Sequence, residues 1–219
     1  MPEPTMVSAI LAELRANLGA LRRDGGVDVE ANRRMAQRYD RLAPWRGFVT
    51  DEDFARIADD KLDSRASIAV RRFVAARDTN PRARFLWLAG PRGTGKTVAA
   101  LWAVCEDYGR YVTAEELRRA YGQEHDEARG LRPRLVEARL LIIDDIGTSK
   151  DGAGEERALF ELLNARQGGG RQTILTGNLS RAEVSTKFCG RVLDRVFHSG
   201  AVVDCGTTNL RRAPGRAES

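Results

Sequence analysis

Residues 84–97, RFLWLAGPRGTGKT, set an apolar run directly against a glycine-rich turn that ends in lysine and threonine. The apolar part (84–90) has the length and content of a buried strand, and residues 96–107 read as a helix. Between them, GPRGTGKT fits the spacing G-x-x-x-x-G-K-[ST] in the strand–turn–helix setting that this pattern requires. Gly90, Gly93 and Gly95 let the backbone curl so that successive N–H groups point inward. The helix that begins near Lys96 adds its positive end, so the turn is built to hold phosphate. Lys96 has the reach for β- and γ-phosphates, and Thr97 can offer its hydroxyl to Mg²⁺. With Pro91, Arg92 and Thr94 completing the loop, the segment predicts a nucleoside triphosphate site, with ATP and Mg²⁺ as its ligands.

The rest of the chain fits an α/β architecture around that loop. RYVT (110–113) reads as a strand whose Thr113 and Glu116 form a capping box for the next helix. ARLLIID (138–144) is the most apolar strand, followed by a helix over 154–167 with Leu159, Phe160, Leu162 and Leu163 on its inner face. RQTILTGN (171–178) is a further strand. Ser180 and Glu183 make a second capping box, opening a helix that runs to about Phe197, and AVVDC (201–205) is the last strand. Strands alternating with helices predict a parallel sheet covered on both faces. Ahead of it the pattern is helical: a first helix through Val7, Ile10, Leu11, Leu14, Leu18 and Leu21, then helices over 29–42, 51–61 and 64–77. The helix over 29–42 is expected to stop before Pro44. Its pairing with the first helix suits either a cap on the core or a docking arm for a partner.

The strand LLIIDDIG (140–147) runs into two carboxylates, which packing alone does not call for. Open parallel sheets place their ligands at the carboxyl ends of the strands. Asp144, 48 residues beyond Lys96, is placed to hold the Mg²⁺ that Thr97 also contacts, and Asp145 to orient or deprotonate an attacking water. Asn178, at the end of the next strand, can hold that water against the γ-phosphate. Arg191 and Arg195 are four apart on a helix and share one face. That makes them candidates for an arginine finger acting on a neighbouring subunit's nucleotide, with a surface ion-pair role as the alternative.

Composition adds limits. At 219 residues and 42% hydrophobic, the chain suits one domain with a real core or one with a short appendage. No apolar run approaches the roughly 18 residues that cross a bilayer, and the first residues read as structure with no basic leader before them. Three widely spaced cysteines, Cys105, Cys189 and Cys205, argue for a reducing compartment, here the cytoplasm, and against a zinc site. The net charge of +5 points to nucleic acid, although 32 of the 36 basic residues are arginine, which coding bias also produces.

The order of the motifs resembles that of the AAA+ ATPases of the DnaC-type helicase loaders and IstB-type transposition helpers. The likeness covers about residues 43 to 212 and rests on APWRGF, GPRGTGKT, YVTAEEL, LLIIDDIG, the run to TGNLS, and GRVLDRV. It implies a P-loop AAA+ sheet flanked by helices, with residues 43–212 as the ATPase core and 213–219 as a tail. Residues 1–42 become a helical partner-docking segment. Asn178 takes the sensor position, Arg195 is the first finger candidate and Arg191 the second, and Arg211 or Arg212 of NLRR supplies a second sensor. A homo-oligomer acting on DNA, with single strands as the favoured form, is implied, with a replicative helicase as client or else a transposase. The segment ahead of the core lacks the cysteines of zinc-bearing loader domains, so the partner does not follow from it. Many relatives carry glutamate where Asp145 stands, and the shorter carboxylate implies slow or partner-stimulated hydrolysis. With the last strand close to residue 219, a full helical lid is not expected. Two other classes stay open: a small-molecule kinase, which would lack the Asp-Asp strand and the arginine pair, and a nucleotide-gated binding module with negligible turnover.

Overall fold

A computed structural model of the chain describes residues 29–122, 130–149, 151–167, 171–188 and 190–210. The helix expected around residues 7–21 and the arginines 211 and 212 lie outside the described residues. The chain divides into two units, Met1–Ala36 and Gln37–Ser219. Of the first, the described part is the opening of helix α1 (Val29–Leu42), where Arg34 pairs with Glu30 one turn away at 3.2 Å. The helix has the predicted bounds and stops just before Pro44.

In the second unit the chain passes through a 3₁₀ turn (Ala43–Phe48) into α2 (Asp51–Ala58) and α3 (Arg65–Ala75). From there strand and helix alternate: β1 (Phe85–Ala89), α4 (Lys96–Asp107), β2 (Arg110–Thr113), α5 (Ala114–Tyr121) and α6 (Leu131–Glu137). The order continues with β3 (Leu140–Ile146), α7 (Gly152–Arg166), β4 (Gln172–Gly177), α8 (Arg181–Lys187), α9 (Gly190–His198) and β5 (Gly200–Asp204). Both predicted capping boxes form, at Thr113 and Ser180. Three local expectations are corrected. The strand expected to end at Asp144 runs on to Ile146. The single helix expected up to Phe197 is two, because Phe188 is extended at φ −103 and ψ 140. Helix α6 was not anticipated; its Pro133 lies in the first turn, where the missing N–H costs nothing.

The strands pair in parallel in the order β2-β3-β4-β1-β5. The side chains of each strand alternate between two cores. Leu86, Leu88, Leu140, Ile142 and Ile174 meet α2, α3, α4 and the end of α1, where Leu42 is fully buried. Phe85, Trp87, Leu141, Ile143 and Leu175 face α5 to α9. The sheet is therefore apolar on both faces, as a strand such as FLWLA requires.

A half-buried and a fully buried polar group tie the layers. Asp60 accepts hydrogen bonds from Arg71 at 2.5 Å, Trp102 Nε1 at 2.7 Å and Arg38 at 3.3 Å. Burial pushes its pKa up, but the bonds from Arg71 and Trp102 and the charges of Arg38 and Arg71 outweigh that and hold it below the usual value. Arg166, fully buried, donates to Thr173 Oγ1 at 2.9 Å and to the carbonyls of Val136, Ala138 and Gln172. It thus fastens the chain entering β3 to the start of β4. No helix among the described residues is long and apolar enough to cross a membrane.

Candidate functional site

The connection leaving β1 runs toward β2, whereas the one leaving its neighbour β4 runs toward β5. A crevice therefore opens at the carboxyl ends of these strands, the place where open α/β sheets take ligands. A cavity of about 340 Å³ lies there. Its walls bring together Arg92, Gly93, Gly95, Lys96 and Thr97 from the loop after β1, Asp144 and Asp145 from β3, and Asn178 just past β4. These eight sequence candidates thus line one cavity, while Gly90, Pro91 and Thr94 of the same loop are not among its lining residues.

The loop has the geometry that phosphate requires. Gly93 and Gly95 take φ +85 and +82, a conformation that side-chain-bearing residues rarely adopt. Thr50, Ser64, Thr113, Asp151 and Ser180 cap their helices with side-chain oxygens, but α4 has Gly95 at its N-cap and no side-chain cap. No side-chain oxygen caps the first N–H groups of α4, and such a helix end suits an anion. Lys96, 7% exposed, donates to the carbonyls of Gly90 at 2.8 Å and Pro91 at 2.7 Å, and reaches Asn178 Oδ1 at 3.5 Å. Its ammonium is held on the loop's own oxygens, which phosphate oxygens can replace. The segment after β5 closes the loop from outside: Leu210 N–H donates to the Gly93 carbonyl at 2.8 Å, and the Asn209 side chain lies against Gly93.

The two aspartates occupy different settings. Consecutive residues of a regular strand point to opposite faces, yet both line the cavity. The cause is Asp145, which takes φ +60, with a register shift against β4 between Ile143 and Ile146. Such a backbone costs about 1–3 kcal/mol and gathers at functional positions. Asp144 is 3% exposed, whereas Asp145 is exposed to solvent. Asp144 accepts the Thr97 hydroxyl, shared between its two oxygens at 3.2 and 3.1 Å. It also accepts the Tyr111 hydroxyl at 2.5 Å and that of Thr176. Burial first, and then the charge of Asp144, raise the Tyr111 pKa, so the phenol is a neutral donor. A hydroxyl and a carboxylate are hard oxygen ligands of the kind Mg²⁺ takes from a protein when phosphate and water complete its shell. Thr97 and Asp144 fit that role.

Beyond Asp145 the chain is held by Glu155, which is 1% exposed and accepts the Gly147 N–H at 2.6 Å, while Lys187 donates to the Gly147 carbonyl. Burial raises the Glu155 pKa against the lowering effects of the Gly147 bond and the Lys187 charge. Arg191 and Arg195 both lie on α9, whose Val192 and Val196 are fully buried. Arg211 lies beyond the described residues. Sequence reading missed Tyr111, Thr176 and Asn209. In strands, tyrosine and threonine look like ordinary packing residues, and nothing local marks Asn209.

A parallel sheet in this order, with a phosphate loop after β1 and a buried carboxylate on β3, defines an ATP-binding protein of the P-loop AAA+ class. Within that class the chain belongs to the family of IstB-like ATP binding proteins, whose family model matches residues 27–217. Solved structures share the fold. The DnaC helicase loader is 18% identical at a TM-score of 0.52, over 64% of this chain and 87% of that one. DnaI is 20% identical at 0.52, over 68% and 86%. The replication initiator DnaA bound to AMPPCP and single-stranded DNA is 18% identical at 0.54, over 64% of this chain and 45% of that chain. The chain therefore spans less than half the length of that initiator. No curated protein is matched.

Proposed function

We propose that this protein is an ATP-hydrolysing switch that assembles on DNA, with a replicative helicase as its client. The observation that carries the hydrolytic part is the pair at the end of β3: a buried Asp144 bound to Thr97, beside an exposed Asp145 in the same cavity as Lys96 and Asn178. Lys96 exchanges the carbonyls of Gly90 and Pro91 for phosphate oxygens, and the N-terminal N–H groups of α4, which no side chain caps, complete the cradle. Thr97 and Asp144 hold the metal. When bound, Mg²⁺ neutralises charge on the β- and γ-phosphates. Asp145 orients the attacking water and Asn178 steadies it. Arg195 of a neighbouring subunit, or Arg191 in its place, completes the site, and Arg211 senses the nucleotide. Aspartate at 145 reaches less far than glutamate, which supports slow or partner-stimulated turnover in a cytoplasmic homo-oligomer. The N-terminal helical segment docks the client, residues 43–212 form the ATPase core, and single-stranded DNA is bound by the assembly.

The DnaC and DnaI likeness supports the helicase reading. A second reading, an ATPase helper of a transposase, is favoured by the IstB-like family model. Asp145→Asn should keep ATP affinity and lose about a hundred-fold or more in hydrolysis, the low end of what a positioned acid–base group contributes, about 10² to 10⁴. Hydrolysis at the wild-type rate would overturn the role of Asp145. Capture experiments with the full chain against a replicative helicase and a transposase decide the client, because each reading expects one of the two to be retained.

A further inference from the structure

Asp144 is gripped from both neighbouring strands. From β4, on one side of β3, the Thr176 hydroxyl donates to Oδ1; from β2, on the other, the Tyr111 hydroxyl donates to Oδ2 at 2.5 Å. Thr97 faces the same carboxylate from α4. Register places Tyr111 two residues before the partner of Asp144, since Thr113 pairs with Asp144, so the ring lies on the same face of the sheet. Among the described residues β2 is an outer strand, with no strand beyond it to hold that ring. The hold comes instead from the 3₁₀ turn. Trp45 packs on Tyr111 at 5.2 Å between centroids, and Phe48 meets it edge-on at 4.9 Å. Phe48 does this while 43% exposed, so simple burial does not explain its place.

We infer that Tyr111 is a positioning residue for the metal-side carboxylate, and that Trp45 and Phe48 hold it in that position. Outer partners of ligating carboxylates fix their orientation, and losing one typically costs 10- to 100-fold in metal affinity. The turn follows directly on the helix that ends at Leu42. It continues the chain from that helix and meets the ring that orients Asp144 through the packing of Trp45 and Phe48. The inference rests on the proposed role of Asp144 as the carboxylate that holds Mg²⁺.

The test uses the full chain and compares ATP binding in EDTA with binding across a Mg²⁺ titration. The readout is the factor by which Mg²⁺ tightens ATP binding, together with the Mg²⁺ concentration at half effect. Tyr111→Phe keeps the ring and its packing but removes the hydroxyl. Its half-effect concentration should rise by about ten-fold or more, whereas a purely structural loss would weaken binding equally in EDTA and in Mg²⁺. An unchanged Mg²⁺ response in Tyr111→Phe overturns the inference. Trp45→Leu, which leaves the hydroxyl in place, should raise the half-effect concentration by a smaller factor. It also serves as the deciding variant if Tyr111→Phe does not fold, and a wild-type response in it would then overturn the inference. Asp144→Asn separates the two levels of the argument. If it retains the Mg²⁺ response, the reading of Asp144 fails; if it loses the response while Tyr111→Phe keeps it, only the role of Tyr111 fails.

Discussion

The side chain of Asn209 occupies the space that a β-carbon on Gly93 would fill, so the segment following β5 and the phosphate loop are fitted to each other. Leu210 adds the N–H···O bond to the Gly93 carbonyl at 2.8 Å. Gly93→Ala should therefore fail twice: through φ +85, and through overlap with Asn209. The expected outcome is at least a ten-fold loss in ATP affinity by equilibrium binding. Gly93→Ala with Asn209→Gly removes the overlap but not the strained φ, and should recover only part of that loss. Full ATP affinity in the single variant would contradict this fit.

Arg195 is the proposed finger, and a finger acts across subunits. Arg195→Ala should bind ATP as isolated subunits do in the wild type, and lose ATPase activity under assembly conditions. Fingers supply 10³ to 10⁵ in rate where they have been dissected, so the loss should be at least about ten-fold even in a slow enzyme. Mixing Arg195→Ala with Lys96→Ala, each inactive alone, should restore part of the activity, because one subunit then offers an intact loop and the other an intact finger. Wild-type turnover by Arg195→Ala at assembling concentrations would remove it from the role.

Much of this fold was readable because strand and helix periods alternate cleanly and both faces of the sheet need apolar cover. The loop was readable because phosphate binding demands glycines, lysine and threonine at set spacing. The paired aspartates were recognisable as a site, but the bulge that turns both toward one cavity was not. Its signal is a single residue at φ +60, a backbone that aspartate tolerates without a glycine at that position. The clamp on Asp144 was hidden for another reason. Tyr111 and Thr176 are good strand formers, and their hydroxyls acquire meaning only once β2 and β4 flank β3. The split between α8 and α9 was missed because VSTKF holds neither glycine nor proline to announce it; the extended Phe188 packs against Trp87, 5.2 Å away between centroids.

Glu155 links the site to pH. Its pKa is raised, chiefly by burial, so the folded chain holds that proton to a higher pH than the unfolded chain does. The contribution of the protonated form is fully present below the unfolded value, about 4.3, and is lost as pH rises through the raised folded value. Glu155→Gln cannot ionise and keeps an oxygen to accept the Gly147 N–H. The melting temperature of the variant minus that of the wild type should therefore grow between about pH 4 and about pH 7. A difference that stays flat over that range would mean that folding leaves the Glu155 proton affinity unchanged, and one that shrinks that Glu155 is stabilised in its charged form.

The N-terminal segment is proposed to dock the client, and the packing says where to cut it. Removing residues 1–42 would also strip Tyr39, 5.2 Å from Phe54 between ring centroids, and the fully buried Leu42. It would remove Arg38 as well, which binds Glu106 at 2.7 Å and Asp60 at 3.3 Å. Burying a leucine stabilises a core by about 1.5–3 kcal/mol, so such a truncation confuses lost docking with lost stability. Ending the deletion at Ala36, where the chain divides, leaves these contacts in place. The protein lacking residues 1–36 should melt near the wild-type temperature and bind ATP unchanged, while losing capture of its client. A truncated protein that still retains the client would move the docking surface onto the ATPase core.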